Sequence, residues 1–112
     1  MSNIYATALD VFQRQNTDEE YKKMTFDCSS FVQFCYNKNG KNIPRNSAEQ
    51  WKKGQAGNGS AGDVACWNGH VGICDGNGNV IHSYRNDKKI YVDSIDKVSE
   101  WDNRSLKGFR RF

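Results

Sequence analysis

The chain is short of proline, of histidine and of long apolar runs, and each shortage narrows what the protein can be. Its 112 residues include one proline and two histidines. No apolar stretch approaches the roughly 18 residues of a transmembrane helix. The first ten residues lack the basic segment and continuous apolar core of a secretory signal peptide. Because this length suits one domain, we predict a single domain over residues 1–112, with no membrane span.

The cysteines also lack a metal-binding pattern. They are Cys28, Cys35, Cys66 and Cys74. No two of them form a Cys-x-x-Cys pair, so a zinc site is not expected. Asn68-Gly69 is a strong two-residue turn signal, and the hairpin built on it places Cys66 and Cys74 on opposite faces of a sheet. We therefore predict no disulfide between these two, whereas the other pairings stay open.

The charge balance is mild. Sixteen basic and 13 acidic residues give a net charge of +3, which suits an ordinary surface as well as an anionic polymer such as cell wall. Basic residues gather at the end, as Arg104, Lys107, Arg110 and Arg111. They alternate with apolar side chains, which indicates an edge strand with one charged face rather than a nucleic-acid patch. We predict no nucleic-acid partner.

Periodicity divides the chain into a helical first part and a sheet-forming second part. The predicted helices cover 3–14, 17–23, 28–37 and 48–53. Capping-box patterns make Thr17 and Ser47 the expected caps of the two short ones. Residues 54–62 are glycine-rich and indicate a loop. Candidate strands are 63–67, 70–74, 80–84, 89–94 and 107–112. This order predicts an α+β fold, with N-terminal helices packed on an antiparallel sheet of about five strands.

One cysteine stands where a thiol would be reactive. Cys28 begins the predicted helix 28–37 and lies on its apolar stripe, so it should face a sheet that bears histidine. A helix N-terminus and a nearby imidazole both lower the pKa of a cysteine. His70 can serve as the base and His82 as the group that orients it. A packed, inert cysteine is the common alternative, and these residues alone leave it open.

Both histidines must then lie on one face, which requires one register of the second hairpin. A two-residue turn at Asn77-Gly78 would place His70 and His82 on opposite faces. A three-residue loop over Gly76–Gly78 pairs His82 with Gly72, diagonally across from His70. We predict the three-residue loop, because Gly72 would also leave space for an imidazole.

Five segments resemble, in chain order, the motifs of the NlpC/P60 family of cysteine peptidases. They are Asp27-Cys28-Ser29-Ser30-Phe31-Val32, Ile43-Pro44-Arg45-Asn46-Ser47-Ala48-Glu49-Gln50, Ala61-Gly62-Asp63-Val64, the run from His70-Val71-Gly72-Ile73 to Val80-Ile81-His82-Ser83, and Gly108-Phe109-Arg110-Arg111-Phe112. The segment from Glu20 to Phe26 departs from the family's Tyr-x-Trp-Gly-Gly pattern, and only Tyr21 resembles its tyrosine.

The resemblance implies a papain-like fold and a cysteine endopeptidase or amidase. Its substrates would be stem peptides of peptidoglycan, often cut between γ-D-glutamate and a diamino acid. Cys28 would be the nucleophile, His70 the base and His82 the orienting residue, with the oxyanion near backbone N–H groups at the helix start. The candidate substrate-binding residues are Tyr21, Ser29, Arg45 and Asp63. Ser29 is also expected to shape the turn at the nucleophile. No metal or organic cofactor is implied.

The chain further resembles compact type VI secretion amidase effectors and phage lysins. This implies synthesis in the cytoplasm, export without a classical signal peptide, action on the cell wall or periplasm and, for an effector, a cognate immunity protein. We expect a monomer. The alternatives are a CHAP-type amidase, a protein-directed thiol peptidase or deamidase, and a non-catalytic module that binds cell-wall peptides.

Overall fold

The computed structural model describes residues 3–112, apart from the side chain of Asp102, so the first two residues of the predicted domain lie outside the described ones. The helices are α1 (Asn3–Arg14), α2 (Glu19–Lys22), α3 (Cys28–Asn37), α4 (Ser47–Lys53) and α5 (Ile95–Glu100), followed by a 3-10 turn at Trp101–Asn103. The strands are β1 (Gln55–Ala56), β2 (Val64–Trp67), β3 (His70–Cys74), β4 (Asn79–Ser83), β5 (Ile90–Ser94) and β6 (Leu106–Arg111). The predicted bounds of α1, α3 and β3 are confirmed. Within the described residues, no helix is both long and apolar enough to cross a bilayer.

The caps of the two short helices differ by one residue from the prediction. Asp18, not Thr17, caps α2, and its side chain accepts hydrogen bonds from the first-turn backbone N–H groups. Asn46, not Ser47, caps α4 and accepts from the backbone N–H of Glu49. Asp and Asn rank at least as high as Thr and Ser in this role, so the adjacent carboxylate or amide takes the cap position.

In the described part of the chain, six strands form one antiparallel sheet in the order β1-β6-β2-β3-β4-β5, and the α+β fold is confirmed. The prediction of about five strands misses β1. Its two residues fall in the segment predicted as a loop and are too few to show a period. They pair with Arg110 and Arg111 of β6. β6 therefore lies between β1 and β2, and the prediction that it forms an edge is wrong.

The first hairpin has the predicted register. At the Asn68-Gly69 turn, Trp67 pairs with His70 and Cys66 with Val71. Cys66 belongs to the core cluster beneath α1 and α3, whereas Cys74 belongs to the cluster on the other face. The sheet thus separates the two cysteines, and all four cysteines of the chain are free thiols.

The second hairpin has the predicted three-residue loop. Ile73 pairs with Ile81, and the same register sets Gly72 opposite His82. Gly76 and Gly78, at the two ends of the loop, both have φ of 86°. Glycine adopts this left-handed conformation without steric cost, so these two residues select the loop type and, through it, the register.

The sequence pattern does not predict α5. Ser94 caps this helix, with its Oγ accepting a hydrogen bond of 3.1 Å from the backbone N–H of Lys97. Val98 is its buried residue. A helix of six residues completes fewer than two turns and offers too little periodicity to detect.

The central strands β2, β3 and β4 are buried on both faces of the sheet. One face, which includes Val71 and Ile73, packs against α1 and α3. The other face, which includes Val80, is covered by Val98 of α5. Because successive strand residues point to opposite faces, His70 and His82 belong to the face that α5 covers.

Candidate active site

A cleft of about 640 Å³ opens where the start of α3 meets the start of β3 and the end of β4. Its lining includes Cys28 at the helix start, His70 at the start of β3, and Tyr84, Arg85 and Lys88 in the segment after β4. The structure thus brings the predicted nucleophile and the predicted base to one cavity.

A capping box fixes the first turn of α3 and with it the position of Cys28. Asp27 precedes the helix in an extended conformation, and its Oδ1 accepts a hydrogen bond of 2.8 Å from the backbone N–H of Ser30. In return, Ser30 Oγ accepts from the backbone N–H of Asp27 at 3.0 Å. Cys28 is therefore the first helical residue, where backbone N–H groups have no partner within the helix and favour negative charge.

Burial and hydrogen-bond donors shift the pKa of the Cys28 thiol in opposite directions. Burial raises the pKa of the Cys28 thiol and the Asp27 carboxylate adds to the rise, whereas the backbone N–H groups of Val71, Ser29 and Cys28 itself lower it. The Val71 contact places the sulfur beside the strand residue that follows His70. Because the net effect is a raised pKa, the resting thiol is protonated at neutral pH and needs a base to become a nucleophile.

The helix and the imidazoles lie on opposite faces of the sheet. The apolar stripe of α3 packs on the face that carries Val71 and Ile73, whereas His70 projects from the other face, with its ring centroid 5.6 Å from that of Trp67. This is not the arrangement that the helical stripe predicts. Cys28 reaches the cleft because it lies in the first turn of α3, at the margin of the sheet.

Three polar side chains form a hydrogen-bonded chain behind the cleft, in which both histidines are buried and Asp93 is partly exposed. His70 Nε2 lies 2.8 Å from His82 Nδ1, and His82 Nε2 lies 2.9 Å from Asp93 Oδ2. His82 is completely buried and His70 is only 4% exposed. His70 therefore has one ring nitrogen, Nδ1, outside this chain of hydrogen bonds.

Burial keeps both imidazoles neutral. Loss of hydration lowers the pKa of His70 to about 3, and positive charge on His82 and Arg104 acts in the same direction. Burial also lowers the pKa of His82, against the raising effect of the Asp93 carboxylate. A neutral imidazole has an unshared electron pair, so His70 is in the state that can accept a proton.

Sequence patterns point to His70 and His82 but miss Asp93. It falls in the predicted strand 89–94. Asn86 and Asp87 indicate a turn before this strand, but they do not fix the loop length that decides how the strand pairs with β4. The structure pairs Asp93 with Val80, which sets the carboxylate on the face of the imidazoles. One feature of the sequence could have indicated Asp93 as a partner for a buried histidine: it is the sole carboxylate in residues 89–94.

Aromatic rings restrict both imidazoles. The ring of Tyr84 stacks on His82, with centroids 5.5 Å apart, and meets His70 edge-on at 5.3 Å. Trp101 packs on Tyr84, with centroids 5.0 Å apart. Such packing limits ring rotation, so the hydrogen-bonded orientation of each imidazole is maintained.

The cleft is basic. Arg85, Lys88 and Arg104 all contribute to its lining. Asp27, which also lines it, forms an ion pair with Arg45 at 2.9 Å. A ligand in the cleft therefore meets net positive charge.

The segment before the nucleophile is tied to the strand that carries His82. Ser83 Oγ donates a hydrogen bond of 2.6 Å to the carbonyl of Phe26, and the backbone N–H of Phe26 donates to the carbonyl of Lys88 at 3.1 Å. These contacts join the segment before α3 to the end of β4. They therefore hold the nucleophile and the histidines in fixed positions relative to each other.

Two predicted substrate contacts brace the nucleophile. Arg45 donates hydrogen bonds of 2.9 Å to Ser29 Oγ and to Asp27 Oδ2. Gln50 donates to the backbone carbonyl of Ser29 at 3.1 Å. Ser29 and Arg45 thus belong to a network behind the first turn of α3, and their role in binding substrate stays a prediction.

The other two predicted contacts lie elsewhere. Asp63 Oδ2 accepts hydrogen bonds from three backbone N–H groups of the loop 58–60 and from Arg111, so it shapes this loop. The hydroxyl of Tyr21 lies 3.2 Å from Asp10 Oδ2, in a separate depression between α1, α2 and α3. The structure does not bring Tyr21 or Asp63 to the cleft lining.

The architecture and the cleft define the class: an α+β domain in which a cysteine at a helix start shares a cavity with a histidine of an antiparallel sheet. The sequence model of the NlpC/P60 family matches residues 12–110. The chain therefore belongs to the NlpC/P60 family.

Individual relatives support this assignment. A probable endopeptidase of Corynebacterium glutamicum is 39% identical over 77 residues, which is 63% of this chain and 37% of that protein. The chain thus spans little more than a third of the curated relatives it matches. The NlpC/p60 domain of the peptidoglycan hydrolase SagA superposes with a TM-score of 0.70 at 24% identity, covering 98% of this chain and 97% of that one. RipD of Mycobacterium tuberculosis, a non-catalytic NlpC/p60 domain protein, has a TM-score of 0.66 at 16% identity and covers 99% and 98%. At these identities the two structures show the fold alone.

Proposed function

We propose that this chain is a cysteine endopeptidase that hydrolyses an amide bond in the stem peptides of peptidoglycan. Its main support is that Cys28 and His70 line one cleft, with His70 hydrogen-bonded to His82. The C. glutamicum relative is named a probable endopeptidase and SagA a peptidoglycan hydrolase, which agrees with this substrate.

The reaction uses the free nitrogen of His70. Nδ1 takes the thiol proton of Cys28 as the sulfur attacks the substrate carbonyl carbon. Backbone N–H groups at the start of α3 stabilise the negative charge on the carbonyl oxygen. His70 then gives the proton to the leaving amine, the C–N bond breaks, and a thioester remains on Cys28. Water attacks the thioester and passes a proton to His70; the departing sulfur regains that proton as the acid is released.

The basic cleft favours a substrate with free carboxylates. Arg85, Lys88 and Arg104 line it. A γ-linked glutamate keeps its α-carboxylate free beside the scissile bond, and this group can pair with guanidinium or ammonium groups. For this reason we assign the scissile bond to the linkage between γ-D-glutamate and the diamino acid.

Digestion of purified sacculi, with mass analysis of the products, tests this proposal. The parent should release peptides newly ended at γ-D-glutamate, and Cys28→Ala should release none while staying folded. Cys66→Ala, at a buried cysteine of the core, is the control and should retain activity. Digestion by Cys28→Ala at the parental rate would show that Cys28 is not the nucleophile and would contradict the proposed mechanism. Cleavage between sugar and L-alanine would indicate a CHAP-type amidase, and binding of sacculi without products would indicate a non-catalytic module.

Thiol alkylation tests the base. Cys28 is partly exposed, whereas the other three cysteines are buried. Iodoacetamide should therefore react first at Cys28 because of this difference in exposure, whether or not a base assists. The informative comparison is therefore with His70→Ala. If His70 removes the thiol proton, this variant alkylates more slowly at neutral pH, and equal rates would contradict the proposed role of His70. His82→Ala should have a smaller effect, because water can replace an orienting group.

A further inference from the structure

We propose that Asp93 is a positioning residue: acting through His82, it fixes His70 in the tautomer whose Nδ1 carries an unshared electron pair. The catalytic meaning of that electron pair rests on the proposed function. The tautomer itself follows from the hydrogen-bond geometry once both imidazoles are neutral and Asp93 is ionised.

The first step concerns His82. An ionised carboxylate only accepts hydrogen bonds. Asp93 Oδ2 lies 2.9 Å from His82 Nε2, so this nitrogen must carry a hydrogen. A neutral imidazole has one N–H group, and His82 Nδ1 is therefore a bare acceptor.

The second step carries the same constraint to His70. His82 Nδ1 lies 2.8 Å from His70 Nε2. Because the His82 nitrogen can only accept, the His70 nitrogen must donate, and His70 holds its hydrogen on Nε2. Its Nδ1 is then the unprotonated nitrogen. With neutral imidazoles and an ionised Asp93, no other arrangement satisfies both contacts.

Asp93 determines the direction in which the hydrogen bond between His70 and His82 is donated. The two histidines alone do not determine it. Two neutral imidazoles in contact can donate either way, and the reversed direction would put a hydrogen on His70 Nδ1 and remove its capacity as a base. His82 is completely buried, so bulk water does not select its tautomer. The carboxylate is the group in contact with His82 that admits only one direction.

The surrounding charges increase the importance of Asp93. Arg85 acts on His82 and Arg104 acts on His70, and both disfavour a protonated imidazole. Asp93 is the acidic group that acts against them on His82. When His70 takes a proton during the reaction, this carboxylate stabilises the positive charge through His82.

The experiment uses nitrogen-15 NMR of the imidazoles. The chain has two histidines, so the spectrum contains signals from two rings and they are easily assigned. In the parent at neutral pH, both rings should show hydrogen on Nε2 and a bare Nδ1. Asp93→Asn has the same shape but can donate as well as accept, so it removes only the constraint on direction. We expect a mixture of tautomers in this variant, with kcat lowered about tenfold or more and KM changed by less than about twofold.

Asp96→Asn is the matched control, because Asp96 is an exposed carboxylate on the neighbouring helix α5. It should leave tautomers and kcat unchanged. A parental spectrum with hydrogen on His70 Nδ1 would overturn the inference without any variant, as would Asp93→Asn with unchanged tautomers. If the parent shows the expected tautomers but cuts no stem peptide, the proposed function fails and the inference about Asp93 stands.

Discussion

The Cβ atom that Gly72 lacks would lie 3.0 Å from the Cβ of His82. It would also lie 3.1 Å from the Cβ of Val80, so a side chain at residue 72 has no room unless β4 moves. The hairpin register sets Gly72 opposite His82, on the face that His70 shares. The missing side chain therefore allows the two imidazoles to approach within hydrogen-bond distance across the strands.

Gly72→Ala should consequently impair catalysis more than it impairs folding. The added methyl group pushes His82 away from His70 and weakens their contact, and overpacking of this kind costs about 1–3 kcal/mol of unfolding free energy. Denaturant unfolding and kcat per folded molecule measure the two effects. Val98→Ala is the control: it shortens a buried side chain of α5 that packs against the same face of the sheet, at a stability cost of about 1–3 kcal/mol, and should leave kcat unchanged. Equal losses of kcat in both variants would assign the effect of Gly72 to stability alone.

Turn chemistry made much of this site predictable from sequence. Asn68-Gly69 and the glycines of the second loop fix the registers of β2, β3 and β4, and these registers place His70 and His82 on one face. Turn type is local, so a few residues determine it. The start of α3 could also be predicted, because a helix of ten residues is long enough for its apolar stripe and its cap to be recognised in the sequence.

The parts that escaped prediction depend on long-range or very short structure. Asp93 joins the site only through the pairing of β5 with β4. Asn86 and Asp87 indicate a turn between these strands, but they do not fix its length and so leave the register open. α5 and β1 are too short for periodicity to reveal. Arg45 contacts Ser29 and Asp27, which are far from it in sequence, and it does not line the cleft; no local pattern encodes these contacts.

Neutralising the basic cleft should weaken substrate binding. We expect Arg85→Gln and Lys88→Gln each to raise KM about two- to fivefold, the effect of losing one screened ion pair, with little change in kcat. The increase should shrink at high salt and for peptides in which the glutamate α-carboxylate is amidated. Lys52→Gln, on the exposed side of α4, serves as the control. Equal KM values for acid and amidated peptides in the parent would show that these cations do not select a carboxylate.

The buried histidines should make the fold sensitive to acid. An unfolded histidine has a pKa of about 6.5, whereas burial lowers the pKa of folded His70 to about 3 and also lowers that of His82. As pH falls below about 6.5, the unfolded chain binds protons that the folded chain does not. Stability is therefore lost progressively on acidification, and the loss stops growing only below the folded pKa values.

Between about pH 6.5 and 5, the slope due to His70 should approach about 1.4 kcal/mol of unfolding free energy per pH unit, and His82 adds to it in the same direction. Denaturant unfolding at several pH values measures it. The range ends near pH 5 because the aspartates with lowered pKa values, such as Asp27, add their own loss of stability at lower pH. His70→Gln should remove the His70 contribution of about 1.4 kcal/mol per pH unit, and an undiminished slope in this variant would locate the proton uptake elsewhere.

Arg45 offers a choice between bracing the nucleophile and binding substrate. It donates separately to Ser29 and Asp27 and holds the pKa of the Asp27 carboxyl down at about 2. Lysine at this position keeps the charge but cannot reproduce the two-pronged contact. We expect Arg45→Lys to lower kcat several-fold with KM unchanged, because the first turn of α3 loosens while the cleft keeps its charge. If KM rises instead at constant kcat, Arg45 contacts the substrate, as the family resemblance implies, and the bracing network around Ser29 is incidental to catalysis.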